Sequence, residues 1–310
     1  MKGVGNRLNK DLIIREGMQA VFVIFAARKQ PMKNIRLVAT DLDGTFLKDN
    51  KSISASNMEA LHFLGDKGIV RIAATGRNLQ KAEEVIPAHI PFDFIIYSSG
   101  AGIFNRANRH HLYTQNIPEK TAHNLMRFFI SEDLNFHVFR PAPQNHLLWY
   151  HRGSKHCDEF ERYFEYHKDL ATPLPANGRV DSDVCQFLVV IPGNEAQFSE
   201  MKARIGSFSQ EICIIRASSP LQTGYIWIEI FHKNVSKGNS LLYLCNLLKI
   251  DPENTLGIGN DYNDIDLLEF TAHSFLTDNA PEVLKKHYVL TPTNEEDAFA
   301  HVISQISFQT

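Results

Sequence analysis

Short apolar runs alternate along this chain with segments in which apolar residues recur every three or four positions. The runs at 35–40 and 69–74 have the length and the β-branched content of buried strands. Between them, residues 54–68 predict an amphipathic helix, in which Ser56 and Glu59 stand at capping-box spacing. A strand, a helix and a second strand at this spacing predict a right-handed unit with two parallel strands.

The same alternation returns in the last third of the chain. Residues 226–231 and 255–259 are strand-like, and a helix is predicted to begin at Lys237. A polar cluster at 260–264 precedes the apolar run of another helix, as acidic residues at a helix N-terminus should. We therefore predict an α/β fold with a Rossmann-like core domain built on a parallel sheet.

The segment between these two parts has regular patterns of its own. Within residues 98–222, strand-like runs such as 187–191 alternate with helical patterns such as 120–130. Alternation of this kind is typical of a compact domain and not of a linker. We predict that 98–222 form an inserted α/β cap domain, and that 33–97 and 223–310 together form the core.

The first 32 residues continue neither pattern. Residues 21–27 form a short apolar run after scattered basic residues, but Asp11 and Glu16 interrupt the basic region and no clear cleavage site follows. We therefore predict that residues 1–32 are a disordered extension or the result of a mis-assigned start, and not a signal peptide.

Composition narrows the class of protein. The chain has 310 residues, 44% of them hydrophobic, which is enough for a sizeable core in two domains. A formal net charge of −3 without a dense Lys/Arg run argues against a nucleic-acid partner, and no apolar stretch approaches the length of a membrane span. The four cysteines are scattered without metal-ligand spacing, which predicts reduced thiols in a cytoplasmic protein.

Candidate chemistry lies where the predicted parallel strands end. Asp41 and Asp43 follow the first strand two residues apart, and Thr75 follows the second. Side chains at the carboxyl ends of parallel strands meet at one edge of the sheet, where open α/β folds bind ligands. Two neighbouring carboxylates repel each other unless a cation, a proton or a substrate offsets their charge. Taken singly, each residue is ordinary in a turn, so the order of the residues is what indicates a site.

Four short motifs resemble, in their order, those of the haloacid dehalogenase superfamily of phosphotransferases, in particular its Cof-type, sugar-phosphatase-like branch. The first is moderately specific, and the second and third are weak alone. The ordered set carries the resemblance over most of residues 33–310. The motifs are Asp41-Leu42-Asp43-Gly44-Thr45, Thr75-Gly76-Arg77, Val235-Ser236-Lys237-Gly238 and Gly259-Asn260-Asp261-Tyr262-Asn263-Asp264.

The resemblance implies phosphate-ester hydrolysis through an aspartyl-phosphate intermediate. Asp41 would be the nucleophile, and Asp43 would act first as general acid and then as general base. The remaining motif residues would surround the phosphoryl group and offset its charge. These phosphate-binding residues are Gly44, Thr45, Thr75, Gly76, Arg77, Lys237 and Asn263.

Mg²⁺ is the cofactor that the resemblance implies. Its ligands would come from the Asp41 carboxylate, the main-chain carbonyl of Asp43 and an acid of the fourth motif. The family pattern of that motif begins Gly-Asp, whereas this chain has Asn260 in the place of the acid. An amide oxygen carries less charge than a carboxylate. Asn260, Asp261 and Asp264 all stay open as ligands, and the two acids are favoured.

We therefore predict a cytoplasmic, Mg²⁺-dependent phosphatase, monomeric or weakly dimeric, that acts on a small phosphorylated metabolite and on a sugar phosphate in particular. Within the same activity, the substrate could instead be a phosphorylated vitamin or nucleotide. Outside it, the fold would also suit a catalytically silent binding protein, and a receiver-like signalling module likewise places Asp, Thr and Lys after parallel strands. Asp43 and the long insertion between Thr75 and Lys237 argue against the receiver.

Overall fold

The structure, a computed structural model, describes residues 32, 34–217 and 224–307, which form two β-sheets with helices packed against them. Of the predicted N-terminal extension only Met32 lies within the described residues. The strands are β1 (Leu37–Thr40), β2 (Val70–Ala74), β3 (Phe94–Tyr97), β4 (Gly102–Asn105), β5 (His110–Thr114), β6 (Phe136–Phe139), β7 (Leu148–His151), β8 (Ala171–Pro173), β9 (Gln186–Pro192), β10 (Ile212–Ala217), β11 (Tyr225–His232), β12 (Thr255–Gly259), β13 (His273–Thr277) and β14 (Val289–Thr291). The helices are α1 (Ala55–Asp66), α2 (Leu79–Val85), α3 (Glu119–Ser131), α4 (Asp158–His167), α5 (Glu195–Gly206), α6 (Lys237–Leu248), α7 (Ile265–Phe270), α8 (Glu282–Lys285) and α9 (Ala298–Ile303).

The first sheet has eight strands in the order β14-β13-β12-β1-β2-β3-β4-β5. Its strands run parallel from β14 to β3, and β4 and β5 continue it in antiparallel fashion. Strand β1 lies between β12 and β2, and Leu37 pairs with both Thr255 and Val70. All four residues of β1 and all five of β12 are buried, as expected for strands covered on both faces. The predicted α/β fold with a parallel core is confirmed.

Helix α1 connects β1 to β2 as predicted, but its cap differs from the prediction. The Ser54 hydroxyl accepts a hydrogen bond from the amide of Asn57 at 3.1 Å, so the cap lies two residues before the predicted Ser56. Gly68 then ends the connection with φ at +67°, a conformation that favours glycine. The prediction of a capping box at Ser56 was therefore wrong, while the helix itself is confirmed.

The second sheet has six strands in the order β10-β11-β9-β6-β7-β8, antiparallel except for the β7–β8 pair. Helices α3 and α5 pack on one face through an apolar cluster that includes Phe129, Phe187 and Phe198. On the other face, Leu188 and Trp227 join the same apolar cluster as the core of the first sheet. The second sheet therefore lies against the first across a shared core. No helix of the described residues is long and apolar enough to cross a membrane.

Strand membership leads us to propose other boundaries for the inserted unit than those predicted. Strands β4 and β5 fall inside the predicted cap at 98–222, yet they pair with the first sheet. Strand β11 falls inside the predicted core, yet it pairs with β9 and β10 in the second sheet. An apolar strand has the same pattern in either sheet, so the sequence did not reveal the partner. We propose that the inserted unit begins after β5 and ends with β11.

His137 is a buried polar residue in the middle of the second sheet. Its ring stacks on Phe160 with centroids 4.3 Å apart. Neither ring nitrogen has a hydrogen-bond partner within the described part of the chain. Burial lowers the pKa of His137 to about 3, and the positive charges of His167 and Arg152 add to the effect. The folded protein therefore holds this imidazole neutral.

We expect His137 to make the protein less stable as the pH falls. Its folded pKa lies below the unfolded value near 6.5, so the unfolded chain takes up a proton that the folded chain does not. The associated loss begins near pH 6.5 and reaches about 2 kcal/mol at pH 5. His137→Phe keeps an aromatic ring but removes the titrating group, and with it this pH-dependent loss of stability. The urea midpoint should decrease less between pH 7.5 and pH 5 for the variant than for the wild type. Equal decreases would contradict the assignment.

Candidate active site

The carboxyl ends of β1, β2 and β12 bring three of the four motifs to one edge of the first sheet. Asp41 directly follows β1, Thr75 follows β2, and Asn260 follows β12. Lys237, from the remaining motif, is the first residue of α6, and its ammonium reaches the same edge. The first three residues are far apart in sequence and meet in space because their strands are parallel neighbours, and Lys237 joins them from the first turn of α6.

Asp41, Lys237 and Asp264 form a buried cluster of charges, the ion triad. The Lys237 ammonium donates to Asp41 Oδ1 at 2.6 Å and to Asp264 Oδ1 at 2.5 Å, and its side chain is 0% exposed. Burial lowers the pKa of Lys237, but the two carboxylates outweigh that effect and hold the pKa above its usual value. Burial raises the pKa of Asp41 above its usual value, while Lys237 opposes the rise and the Asp264 charge adds to it.

Asp43 lies in a different environment from Asp41. The Arg77 guanidinium binds it with two nitrogens, Nε at 2.6 Å from Oδ2 and Nη2 at 2.7 Å from Oδ1, and Lys51 Nζ lies 2.7 Å from Oδ1. The Asp43 side chain is 37% exposed. Burial would raise its pKa, but the hydrogen bonds from Arg77 and Lys51 outweigh burial and hold the pKa below its usual value. The structure thus places Arg77 on the second carboxylate of the first motif.

The turn after Asp43 is shaped by Gly44 and Thr45. Gly44 has φ at +75°, and a Cβ there would lie 2.5 Å from the Asn260 side-chain nitrogen. The carbonyl oxygen of Gly44 accepts a hydrogen bond from Asn279 at 2.9 Å. Thr45 is fully buried, and its hydroxyl shares a hydrogen bond of 3.1 Å with the Asn260 side-chain amide. Both predicted residues therefore connect the first motif to the fourth, and the close approach requires glycine.

The second motif lies beside Asn263 of the fourth. Thr75 is buried, and its hydroxyl accepts a hydrogen bond from the Arg77 amide at 3.1 Å. A Cβ on Gly76 would lie 3.4 Å from Asn263 Nδ2 and 3.6 Å from Ser99 Oγ. The Ser99 hydroxyl is buried without a hydrogen-bond partner in the described residues, and its φ is +54°. Ser99 is a candidate site residue that the sequence did not single out.

The fourth motif folds into a turn around the Asp264 carboxylate. Asp264 Oδ2 accepts the main-chain amides of Asn260 at 2.8 Å and Asp261 at 3.0 Å, while Oδ1 receives Lys237. Asp261 Oδ1 accepts the amide of Tyr262 at 2.8 Å. Both oxygens of Asp264 are therefore engaged within the protein. The Asn260 side chain, in contrast, points toward the first motif.

The second sheet also reaches this edge. Strand β10 packs against the turn of the fourth motif, where the Arg216 guanidinium lies 5.0 Å from the Tyr262 ring centroid. Asn145 Nδ2 donates to Ser98 Oγ at 2.6 Å, which connects the second sheet to the loop after β3. On β11, burial raises the pKa of Glu229 to about 7, Lys237 opposes the rise, and Asp261 adds to it. The second sheet thus covers the motif edge with polar and charged groups.

A family model of haloacid dehalogenase-like hydrolases matches residues 38–303. The chain belongs to this family. The resemblance to its Cof-type branch, drawn from the four motifs, is thereby confirmed. The hydrolase is 26% identical over 297 residues to the 5-amino-6-(5-phospho-D-ribitylamino)uracil phosphatase YwtE of Bacillus subtilis, with 88% of this chain and 98% of the relative covered.

Solved structures share the fold of the hydrolase. TM0651 from Thermotoga maritima superposes with a TM-score of 0.70 at 20% identity, covering 89% of this chain and 98% of that protein. The sugar phosphatase BT4131, of haloacid dehalogenase subclass IIB, superposes with a TM-score of 0.68 at 18% identity, covering 87% and 98%. Coverage this high includes residues of both sheets, so the shared fold extends over both.

Proposed function

We propose that this hydrolase is a Mg²⁺-dependent phosphatase acting on a small phosphorylated metabolite, a sugar phosphate in particular, through an aspartyl-phosphate at Asp41. The observation that carries the proposal is the different setting of two carboxylates two residues apart. Asp41 is buried on Lys237, whereas Asp43 is half-buried between Arg77 and Lys51. Relatives named as phosphatases and a structural neighbour named as a sugar phosphatase support the reaction and the substrate class.

Asp41 is the proposed nucleophile. One of its oxygens attacks phosphorus, and the bond from phosphorus to the ester oxygen breaks on the opposite side. Lys237, Thr75 and the Asn263 amide lie where they can donate to the phosphoryl oxygens and offset their charge. Lys237 is held in place by Asp264, so it is oriented before a substrate arrives.

Asp43 is the proposed proton carrier. It gives a proton to the leaving alkoxide and then takes one from the water that attacks the aspartyl-phosphate, which returns Asp41 and releases phosphate. In the structure the Arg77 guanidinium occupies both Asp43 oxygens. A phosphate dianion that competes for Arg77 would release the Asp43 carboxylate, remove the hydrogen bonds that hold its pKa low, and let it take up from solvent the proton that it gives to the leaving group.

The oxygen atoms at this edge fit Mg²⁺. Ligand oxygens at about 2.1 Å from an octahedral ion lie about 3.0 Å from their neighbours. The Asn260 amide atom that faces the first motif lies 2.9 Å from the Asp43 carbonyl oxygen and 3.3 Å from Asp41 Oδ2. We therefore propose Asp41, the Asp43 carbonyl and Asn260 as the protein ligands. Mg²⁺ bound there would withdraw charge from a phosphoryl oxygen and offset the carboxylates.

This choice differs from the acids that the sequence favoured. Asp264 has both oxygens engaged, by Lys237 and by two main-chain amides. Asp261 caps the following turn through the Tyr262 amide. We propose that Asp264 anchors the turn and that Asp261 is not a ligand. The cytoplasmic location, the monomeric or weakly dimeric state and the absence of a nucleic-acid partner stay predictions of the sequence.

Metal removal tests the proposed reaction. The purified chain should release p-nitrophenol from p-nitrophenyl phosphate with Mg²⁺, and EDTA should lower the rate by about 10²-fold or more, with recovery on adding Mg²⁺ back. A panel of sugar phosphates, phosphorylated vitamins and nucleotides then ranks substrates by kcat/KM. Absence of turnover on every ester, with Mg²⁺ present and the protein folded, would favour the silent binding protein.

A further inference from the structure

The Asn260 side chain lies among oxygen atoms on three sides. The outer atom of its amide is 2.9 Å from the Asp43 carbonyl oxygen, 3.1 Å from Thr45 Oγ1 and 3.3 Å from Asp41 Oδ2. On the far side, its other amide atom faces the open position of Gly44, where a Cβ would lie 2.5 Å away. Packing therefore fixes the position of the amide, but it does not fix whether the nitrogen or the oxygen faces the first motif.

The two ends of the amide have opposite uses at this place. With nitrogen inward, the amide donates hydrogen bonds to Asp41 Oδ2 and to the Asp43 carbonyl oxygen, which are both acceptors. With oxygen inward, the amide oxygen lies 2.9 Å from the Asp43 carbonyl oxygen and 3.3 Å from Asp41 Oδ2, close to the spacing of neighbouring ligands in an octahedral Mg²⁺ site. Thr45 is compatible with both orientations, because a hydroxyl both donates and accepts.

We propose that the side-chain amide of Asn260 flips by about 180° when Mg²⁺ binds. Its nitrogen faces Asp41 when no metal is bound, and its oxygen faces Mg²⁺ when the ion is bound. The inference rests on the proposed Mg²⁺ site of the phosphatase and goes beyond it. A carboxylate at this position has no such choice, since it brings only oxygens to Asp41 and repels it.

The surrounding structure allows the amide to turn without moving the main chain. The main-chain amide of Asn260 is held by Asp264 Oδ2 at 2.8 Å, and Asp264 is itself fixed by Lys237. Rotation about the last side-chain bond exchanges the two ends of the amide within nearly the same volume. Hydrogen bonds therefore keep the metal-free site ordered. In exchange, Asn260 offers the ion one unit of negative charge less than a carboxylate at this position would.

The experiment compares Mg²⁺ binding and thermal stability, and neither readout requires turnover. Isothermal titration calorimetry gives the Mg²⁺ dissociation constant of the full chain, and the melting temperature is measured in EDTA and in saturating Mg²⁺. Asn260→Asp should bind Mg²⁺ at least about tenfold more tightly, because a second carboxylate raises the charge of the site. The same variant should melt below the wild type in EDTA, and Mg²⁺ should narrow or reverse the difference.

Two further variants make the comparison specific. Asn260→Ala removes both ends of the amide and should weaken Mg²⁺ binding and lower the melting temperature in EDTA. Asp261→Asn changes the neighbouring acid, and its Mg²⁺ affinity should match the wild type within a factor of about two. In a sample labelled with ¹⁵N at asparagine, the Asn260 side-chain resonance, assigned by its loss in Asn260→Asp, should shift on Mg²⁺ addition.

The outcomes separate this inference from the proposed function. Equal Mg²⁺ affinity in the wild type and in Asn260→Asp would overturn the inference while phosphatase activity stands. So would a larger loss of Mg²⁺ affinity in Asp261→Asn than in Asn260→Ala. Tighter Mg²⁺ binding by Asn260→Asp, together with no ester hydrolysis by the wild type, would overturn the function and keep the inference. If Asn260→Asp does not fold, Asn260→Ala with unchanged Mg²⁺ affinity is the contradicting result.

Discussion

Replacing Asp41 with asparagine is expected to lower kcat for p-nitrophenyl phosphate by about 10⁴-fold or more while leaving the fold intact. The amide keeps the shape of the side chain but is a poor nucleophile, so no covalent intermediate forms. Lys237 keeps its contact with Asp264 at 2.5 Å, so the buried ammonium is not left alone. Mass spectrometry of acid-quenched enzyme should find phosphate on the wild type and none on Asp41→Asn.

Asp43→Asn is the matched control for Asp41→Asn, since it makes the same change two residues away. This variant keeps the nucleophile but loses the proton carrier, and turnover should fall by about 10²–10⁴-fold. Because p-nitrophenolate leaves without a proton, the first step should survive better than the second. Rapid mixing should then show a burst of p-nitrophenol and trapped phosphate on Asp41. Phosphate trapped in Asp41→Asn, or normal turnover in Asp43→Asn, would contradict the assigned roles.

Lys237→Met is expected to lower the free energy of unfolding by about 3–5 kcal/mol, because it leaves two carboxylates buried without their cation. Asp41 and Asp264 are 7% and 0% exposed at the side chain, so water cannot replace the ammonium. Activity should also fall by about 10²-fold or more, since the positive charge facing the phosphoryl group is gone. Urea unfolding and kcat/KM are the two measurements.

Lys51→Met makes the same substitution in a similar ion pair at the surface. Lys51 Nζ lies 2.7 Å from Asp43, close to the 2.6 Å of the buried contact, but its side chain is 47% exposed. Exposed pairs contribute little, so the loss of stability should stay within about 1 kcal/mol. Equal losses for the two variants would show that burial of the ion triad is not what makes Lys237 important.

The meeting of the first, second and fourth motifs was predictable because parallel strands impose it. Once residues 35–40, 69–74 and 255–259 are assigned as neighbouring strands, Asp41, Thr75 and the fourth motif have to share an edge. The partners of each side chain were not predictable in the same way. Asp264 was one of three residues left open as metal ligands, and its contacts with Lys237 and two main-chain amides were not foreseen, because its direction depends on how α6 approaches the turn.

The residues that the sequence missed come from places without a repeating pattern. Lys51 sits in a turn with φ at +68°, and Ser99 in a loop with φ at +54°. Glu229 lies on β11, an apolar strand that pairs within the second sheet, so its charge interaction with Lys237 was not expected. Such contacts depend on backbone conformation and on the pairing of distant strands, which local spacing does not record.

The short connection between β11 and α6 has a mechanical consequence. Strand β11 belongs to the second sheet and ends at His232, and α6 begins at Lys237, so residues 233–236 alone join the inserted unit to the buried lysine. The carbonyl oxygen of His232 accepts the amide of Val235 at 2.8 Å, and Gly100 passes so close that a Cβ would lie 2.2 Å from the Ser236 carbonyl oxygen. This tether has little slack. Any displacement of the second sheet relative to the first would therefore be passed to Lys237 through residues 233–236.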